Sequence, residues 1–282
     1  MSVHSRYRTG LWHPYEKPMY GALLNPYHPL ARGLVGCWLF NEGGGNIVYD
    51  LSGHGNHGTL GGGTAGYRPT WVAGKFGSAL DFDGTDDYIR ISPSDSLDAL
   101  SDMTFIAWLK FDEYEEPRRF FNMYYNDSDR FQFEYDPVYD DLLVWNYING
   151  EESRIFANTL PNLGTWFNFV CTVKGTVWKL YIDGDEKASS DEGRNLSDLD
   201  DGFTTYIGVR YKSSGFAGYF YGAISQVYIF NRALSVEEIL QLYTDPFCMF
   251  YHSLEVELLY AAAPPAGIVP QAMHHYRMLR EV

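Results

Sequence analysis

The stretch MTFIAWLKF, residues 103–111, decides the fold. In an extended chain Phe105, Ala107, Leu109 and Phe111 fall on one side and Thr104, Ile106, Trp108 and Lys110 on the other, because successive side chains of a strand point to opposite faces. Outward from it, short apolar runs recur between turn signals: GLVGCWLF (33–40), SALDF (78–82), DYIRI (87–91), RFFNMYY (119–125), RFQFEY (130–135), DLLVWNY (141–147), TWFNFVCTVK (165–174), VWKLYID (177–183), FTTYIGV (203–209) and AISQVYIF (223–230). Asp83-Gly84 and Asp183-Gly184 carry the hairpin signal. So many strands without an intervening helical pattern predict an all-β, two-sheet antiparallel jelly-roll sandwich.

Composition agrees. Of 282 residues 17% are aromatic, with 23 Tyr and 28 Gly, the mark of strands joined by glycine turns. One helix is legible in NRALSVEEILQLYTDP. Ser235 and Glu238 form a capping box, Leu234 and Ile239 a hydrophobic staple, Val236, Ile239, Leu240 and Tyr243 an apolar face, and Asp245-Pro246 ends it. Ile224, Val227 and Ile229 break strict alternation, which predicts a β-bulge at Ser225-Gln226.

The net charge of −15 disfavours nucleic acid and anionic membrane surfaces as partners. Cys37, Cys171 and Cys248 lack metal spacing, and the first two read as buried thiols. No signal-peptide pattern opens the sequence and no apolar run is long enough to span a bilayer, so membrane insertion is not expected and folding in a cytoplasm is. The sequons at Asn126 and Asn195 are then fortuitous.

The chain divides into an extended, net-positive arm at 1–32 broken by Pro14, Pro18, Pro26 and Pro29, a body at 33–244, and a docking tail at 245–282. The tail holds a strand-like piece near 254–260 and a short terminal helix with Met273, Tyr276 and Leu279 on one face. DLSGHGNHGTL (50–60) has Gly53, Gly55 and Gly58 at dinucleotide-loop spacing, but GTLGGGTAGYRP follows and starts no helix on which a pyrophosphate could sit. It reads as a glycine turn.

GLVGCWLFNEGGGNIVYDLSGHGNHGTL, GKFGSALDFDGTDDYIRI, MTFIAWLKF and GAISQVYIFNRALSVEEILQLY, in that order, resemble the laminin-G-like, concanavalin-A-like jelly-roll family of bacterial and phage proteins over residues 33–244. The resemblance implies no required cofactor but a possible structural calcium, with Glu42, Asp50, Asp83, Asp86 and Asp87 at the family's acidic positions. Ser225-Gln226 stands where members commonly carry Asp-Glu, which removes a ligand. The family also contains hydrolases with paired carboxylates. In EYDPVYD, Glu134 and Asp136 fit that motif, while Pro137 and the Tyr139-Asp140 pair depart from it, so no catalysis is expected.

Two non-catalytic expectations follow. The first is a virion-surface protein, as in the phage members, fastened to other subunits or in a homo-oligomer through arms in which Trp12, Tyr15, Phe247, Phe250 and Tyr251 are buried against another chain. The second is a glycan-binding module with Trp108, Tyr124, Tyr125, Trp145, Tyr147 and Tyr211 as candidate sugar-stacking rings. The two are compatible.

Overall fold

The computed structural model describes residues 16–98, 100–196 and 202–251. Its strands, in chain order, are β1 (Leu34–Trp38), β2 (Ile47–Val48), β3 (Gly58–Leu60), β4 (Thr70–Ala73), β5 (Ser78–Asp83) and β6 (Ile89–Ile91). Then follow β7 (Asp102–Phe111), β8 (Arg118–Asn126), β9 (Asp129–Asp136), β10 (Asp141–Ile148), β11 (Glu151–Phe156) and β12 (Phe167–Lys174). The last are β13 (Val177–Ile182), β14 (Asp185–Ser190), β15 (Thr204–Ile207), β16 (Arg210–Lys212), β17 (Gly215–Ala217) and β18 (Tyr221–Phe230). Two α-helices, α1 (Asp95–Asp98) and α2 (Val236–Thr244), and three single-turn 3-10 helices accompany them.

Two eight-stranded antiparallel sheets form the sandwich. The first runs β14-β13-β12-β7-β18-β5-β4, with β1 also paired to β18; the second runs β11-β10-β9-β8-β15-β6-β3-β2. The main core lies between them, and Phe105, Ala107, Leu109 and Phe111 enter it together, as their alternation requires. The register slips between Ile224 and Gln226 against β7, which is the expected bulge. Asp183 and Gly184 both have positive φ (52° and 84°) in the β13–β14 hairpin, as a two-residue turn matched to strand twist demands. Asp83-Gly84 is different: β5 and β6 belong to different sheets, so this turn carries the chain across the sandwich and makes no hairpin.

The opposite face of β7 is also buried. Ile106 and Trp108 join Cys37, Val170, Tyr181, Tyr228 and Phe230 in a second core on the outer face of the first sheet. Three segments roof it: residues 16–32 through Leu30, helix α2 through Ile239 and Leu242, and residues 246–250 through Phe247, Met249 and Phe250. The two flanking segments also pair with each other, Leu24 bridging Phe250, Asn25 N–H donating to the Met249 carbonyl (2.8 Å) and Tyr251 N–H to the Leu23 carbonyl (2.9 Å). These parts of the arms are built into the body. The remainder of the arms, including the strand-like piece near 254–260 and the terminal helix, lies outside the described residues.

Helix α2 has the predicted capping box, Glu238 N–H donating to Ser235 Oγ and Ser235 N–H to Glu238 Oε2. Its buried face is narrower than expected: Ile239 and Leu242 are buried, whereas Val236 and Leu240 are 42% and 43% exposed, because one short helix meets the sheet along a single line. Cys37 and Cys171 are buried free thiols, and Cys248 is a half-buried one. Among the described residues no helix is long and apolar enough to cross a membrane.

Candidate functional site

The outer face of the second sheet carries no helical roof among the described residues. In β9, period-two alternation sends Phe131, Phe133 and Tyr135 into the core and leaves Arg130, Gln132 and Glu134 on the outside. Antiparallel register then assembles the face: Trp145 lies opposite Gln132 and Tyr147 opposite Arg130. On the far side of β10, Arg154 pairs with Trp145 and Glu152 with Tyr147. On β8, Asn122 pairs with Gln132 and Tyr124 with Arg130.

The β16–β17 ribbon forms one wall. Tyr211 N–H donates to Asn122 Oδ1 at 3.0 Å, and its ring meets Tyr124 edge-on at 5.0 Å and stacks on Tyr206 at 5.4 Å. Arg210, next to it, comes within electrostatic range of Arg119, Glu134, Arg130 and Asp127. The other wall is two arginine–aromatic stacks, Arg154 4.3 Å above Trp145 and Arg130 3.8 Å above Tyr147, a geometry that holds both the cation and the ring plane. Trp145 and Tyr147 are neighbours, with ring centroids 6.0 Å apart. Arg154 is ion-paired with Glu152 and bonded to the Tyr139 hydroxyl.

At the floor, Glu134 is fully buried and accepts from Arg119 Nε and from Gln132 Nε2 (2.9 Å). Burial pushes its carboxyl up, and the Arg119 guanidinium opposes this. Arg119 fits because Gly218, at φ +65°, has no Cβ to run into its guanidinium. Burial, and then the charge of Arg119, push Arg210 down to about 10. Gln132 Oε1, Glu134 Oε1, Trp145 Nε1, Arg154 Nε and Arg210 Nε are buried without hydrogen-bond partners among the described residues. Buried donors and acceptors left unmatched cost free energy, and five of them lie on this face beside the half-buried Trp145 and Tyr147 rings.

Of the six candidate stacking rings, Tyr124, Trp145, Tyr147 and Tyr211 are brought together here. Trp108 is a correction: it is 3% exposed in the second core, between Phe76 and Tyr243, because its side of β7 is roofed. Tyr125 is exposed but points away from the face, beside Phe203. Arg119, Arg130, Arg154, Arg210 and Gln132 are additions to the expected set. The alternation of RFQFEY held the signal for Arg130 and Gln132.

The five expected calcium ligands do not form one site. Asp83, Asp86 and Asp87 converge, their carboxylate oxygens within 4.8 Å of one another. Asp50 instead organises its own loop, accepting from Cys37 N–H, Ser52 N–H, Ser52 Oγ and Asn56 N–H at 2.7–2.9 Å; these bonds hold the glycine turn of 50–60. Glu42 accepts from Tyr49 N–H (2.7 Å) and faces the Lys17 ammonium. At the bulge, where a family carboxylate is missing, Lys17 Nζ donates to the Ser225 and Ser78 carbonyls, both at 2.6 Å. An ammonium from the N-terminal segment therefore occupies that carbonyl cage.

The hydrolase motif is dismantled as a pair. Glu134 is locked by Arg119, and Asp136 Oδ1 caps a turn by accepting from Val138 N–H (2.9 Å). Phe247 and Phe250 are buried in the chain's own second core rather than against another chain, and Tyr251 is half-buried beside them. Trp12 and Tyr15 lie outside the described residues.

The family model described as the concanavalin A-like lectin/glucanases superfamily, of laminin G type, matches residues 83–240, and the chain belongs to that family. No curated protein matches the sequence. Among solved structures, domain 4 of AbnA, a GH43 extracellular arabinanase from Geobacillus stearothermophilus in complex with arabinotriose, is 18% identical with a TM-score of 0.63, covering 74% of this chain and 98% of that domain. The binding domain of Paraclostridial Mosquitocidal Protein 1 is 16% identical with a TM-score of 0.59, covering 78% of this chain and 53% of that one. The binding domain of botulinum neurotoxin DC, in complex with rat synaptotagmin II, is 14% identical with a TM-score of 0.57, covering 76% and 52%. This chain thus spans about half the length of the toxin domains, and at these identities the likeness is one of fold.

Proposed function

We propose that the protein is a saccharide-binding module whose binding face is the outer face of the second sheet, floored by Gln132 and Glu134 and walled by Trp145, Tyr147 and Tyr211. The observation that carries this is the set of unpartnered buried donors and acceptors around Trp145. Ring faces stack on sugar faces while such atoms exchange hydrogen bonds with hydroxyls. Structural neighbours support a binding module: one is an arabinanase domain in complex with arabinotriose and another the receptor binding domain of a botulinum neurotoxin. Binding rather than hydrolysis is favoured because the one buried carboxylate of the face is held by a guanidinium.

The test is calorimetry with hits from a glycan array, comparing the full chain with Trp145→Ala. Loss of the ring should weaken binding by about 1–2 kcal/mol, on the order of tenfold, with folding unchanged because Trp145 lies outside both cores. Unaltered affinity in the variant would remove the site.

Attachment to a virion surface or to like subunits through the arms is the second reading. Of the arm residues expected to serve it, Phe247 and Phe250 are engaged in the chain's own second core, and Trp12 and Tyr15 lie outside the described residues. A structural calcium belongs to stability in this account, held by Asp83, Asp86 and Asp87.

A further inference from the structure

Resting on the saccharide reading, we infer that the face selects an acidic saccharide, one bearing a carboxylate, and that Arg210 is the residue that pairs with it. The chain carries a net charge of −15, yet this face gathers Arg119, Arg130, Arg154 and Arg210. Three of these are accounted for. Arg119 is ion-paired with Glu134 and Arg154 with Glu152, and Arg130 lies on Tyr147 and donates to the Asp127 carbonyl.

Arg210 is the exception. It has no ion pair among the described residues, and its Nε lacks a partner. Its strongest electrostatic neighbours include the like-charged Arg119 and Arg130, and both carboxylates in range are already engaged, Glu134 by Arg119 and Gln132 and Asp127 by Ser213 and the Tyr124 hydroxyl. Partial burial of a guanidinium among other guanidiniums is unfavourable until an anion arrives. A carboxylate matches the planar donor fork of arginine with two parallel bonds. The same residue stays charged at neutral pH, since it is pushed down only to about 10. Gln132 Oε1 and Trp145 Nε1, an acceptor and a donor without partners among the described residues, lie buried beside it.

Charge magnitude separates a short acidic sugar from a long polyanion. At physiological salt, charges more than about 8 Å apart are largely screened, so one carboxylate seated on Arg210 responds to the local arginines. A nucleic acid would lie along the acidic remainder of the surface and be repelled.

The experiment uses the full chain and matched pairs: tri-galacturonic acid against its methyl ester, and sialyllactose against lactose. The acidic member of at least one pair should bind about tenfold more tightly than its neutral partner, and the preference should shrink as salt is raised. Arg210→Gln should bring the acid-to-neutral ratio close to one, and Arg210→Lys should restore part of it, with melting temperatures confirming that both variants are folded. Equal affinity for both members of each pair would overturn the acidic selectivity and leave the saccharide face standing. An acidic preference that survives in Arg210→Gln would overturn the role of Arg210. Binding to neither member, or to any other saccharide on an array, would bring down the saccharide reading with it.

Discussion

Asp87 shows how one residue joins sequence, electrostatics and stability. Its carboxyl is pushed up to about 6, first by burial and then by Asp83, Asp86 and Asp81, against the bond it accepts from Asp83 N–H. A carboxyl with a raised folded pKa binds more protons folded than unfolded, so its contribution is largest in acid and is lost as pH rises from about 4 to 6. A calcium ion on Asp83, Asp86 and Asp87 would reverse that penalty at neutral pH. The expected outcome is a melting temperature that rises with calcium above pH 6, falls with chelator, and responds to neither in Asp87→Asn; an unchanged wild-type melting temperature would exclude the ion. Residue type was readable here and placement only partly so. Asp83, Asp86 and Asp87 sit within five positions and had to be close, whereas Glu42 and Asp50 depended on long-range pairing and serve local turns. Trp108 and Trp145 make the same point, because both alternate on strands and only the roof over the first sheet distinguishes them.

At the scale of elements, the N-terminal segment is fastened by a buried charge. Lys17 is 7% exposed and donates to two backbone carbonyls, one on β5 and one at the β18 bulge. Burial pushes its ammonium down to about 7, with Glu42 pulling the other way. A lysine depressed in the folded state binds fewer protons there than in the unfolded chain between about pH 7 and 10.5, so stability rises with pH across that window, by at most about 1.4 kcal/mol per pH unit. Glu42, with its carboxyl raised, acts in the opposite sense at lower pH. Lys17→Met should therefore lack the alkaline rise. Followed together through the window, the wild-type melting temperature should rise relative to that of the variant as pH increases; a constant difference would contradict the buried-lysine account, and tyrosine titrations cancel between the two proteins. The bulge and the α2 capping box were legible because both are local. The lysine that fills the bulge was not, since it arrives from more than 200 positions away.

Across the whole molecule, the two sheets are unequal: the outer face of the first is roofed by helix α2 and the flanking segments, and that of the second carries no helix among the described residues. The long apolar strands such as β7, β9 and β18 could be read directly, whereas the polar or short β4, β11, β14, β16 and β17 could not, because they carry too little apolar alternation to stand out. The division into body and arms could not, because a proline-broken segment looks extended whether it projects or lies flat over an apolar sheet. A chain cut to 33–244 loses the burial of Leu30, Phe247, Met249 and Phe250, each worth about 1.5–3 kcal/mol. It should melt well below the full chain and expose the second core to a hydrophobic dye. A chain trimmed only to 16–251 keeps these four residues, and light scattering on it beside the full chain shows whether residues 1–15 and 252–282 drive assembly. Equal melting of the 33–244 chain and the full chain would contradict the second core.

The central claim, that the outer face of the second sheet receives a saccharide, is tested most directly by following the tryptophan indole N–H resonances during a saccharide titration. Trp145 Nε1 should shift with saturation, while Trp38 and Trp178, bonded to the Asn56 and Arg194 carbonyls, and Trp108 in the second core should stay fixed. A titration that moves Trp108 and leaves Trp145 in place would contradict the account and relocate binding to the roofed sheet.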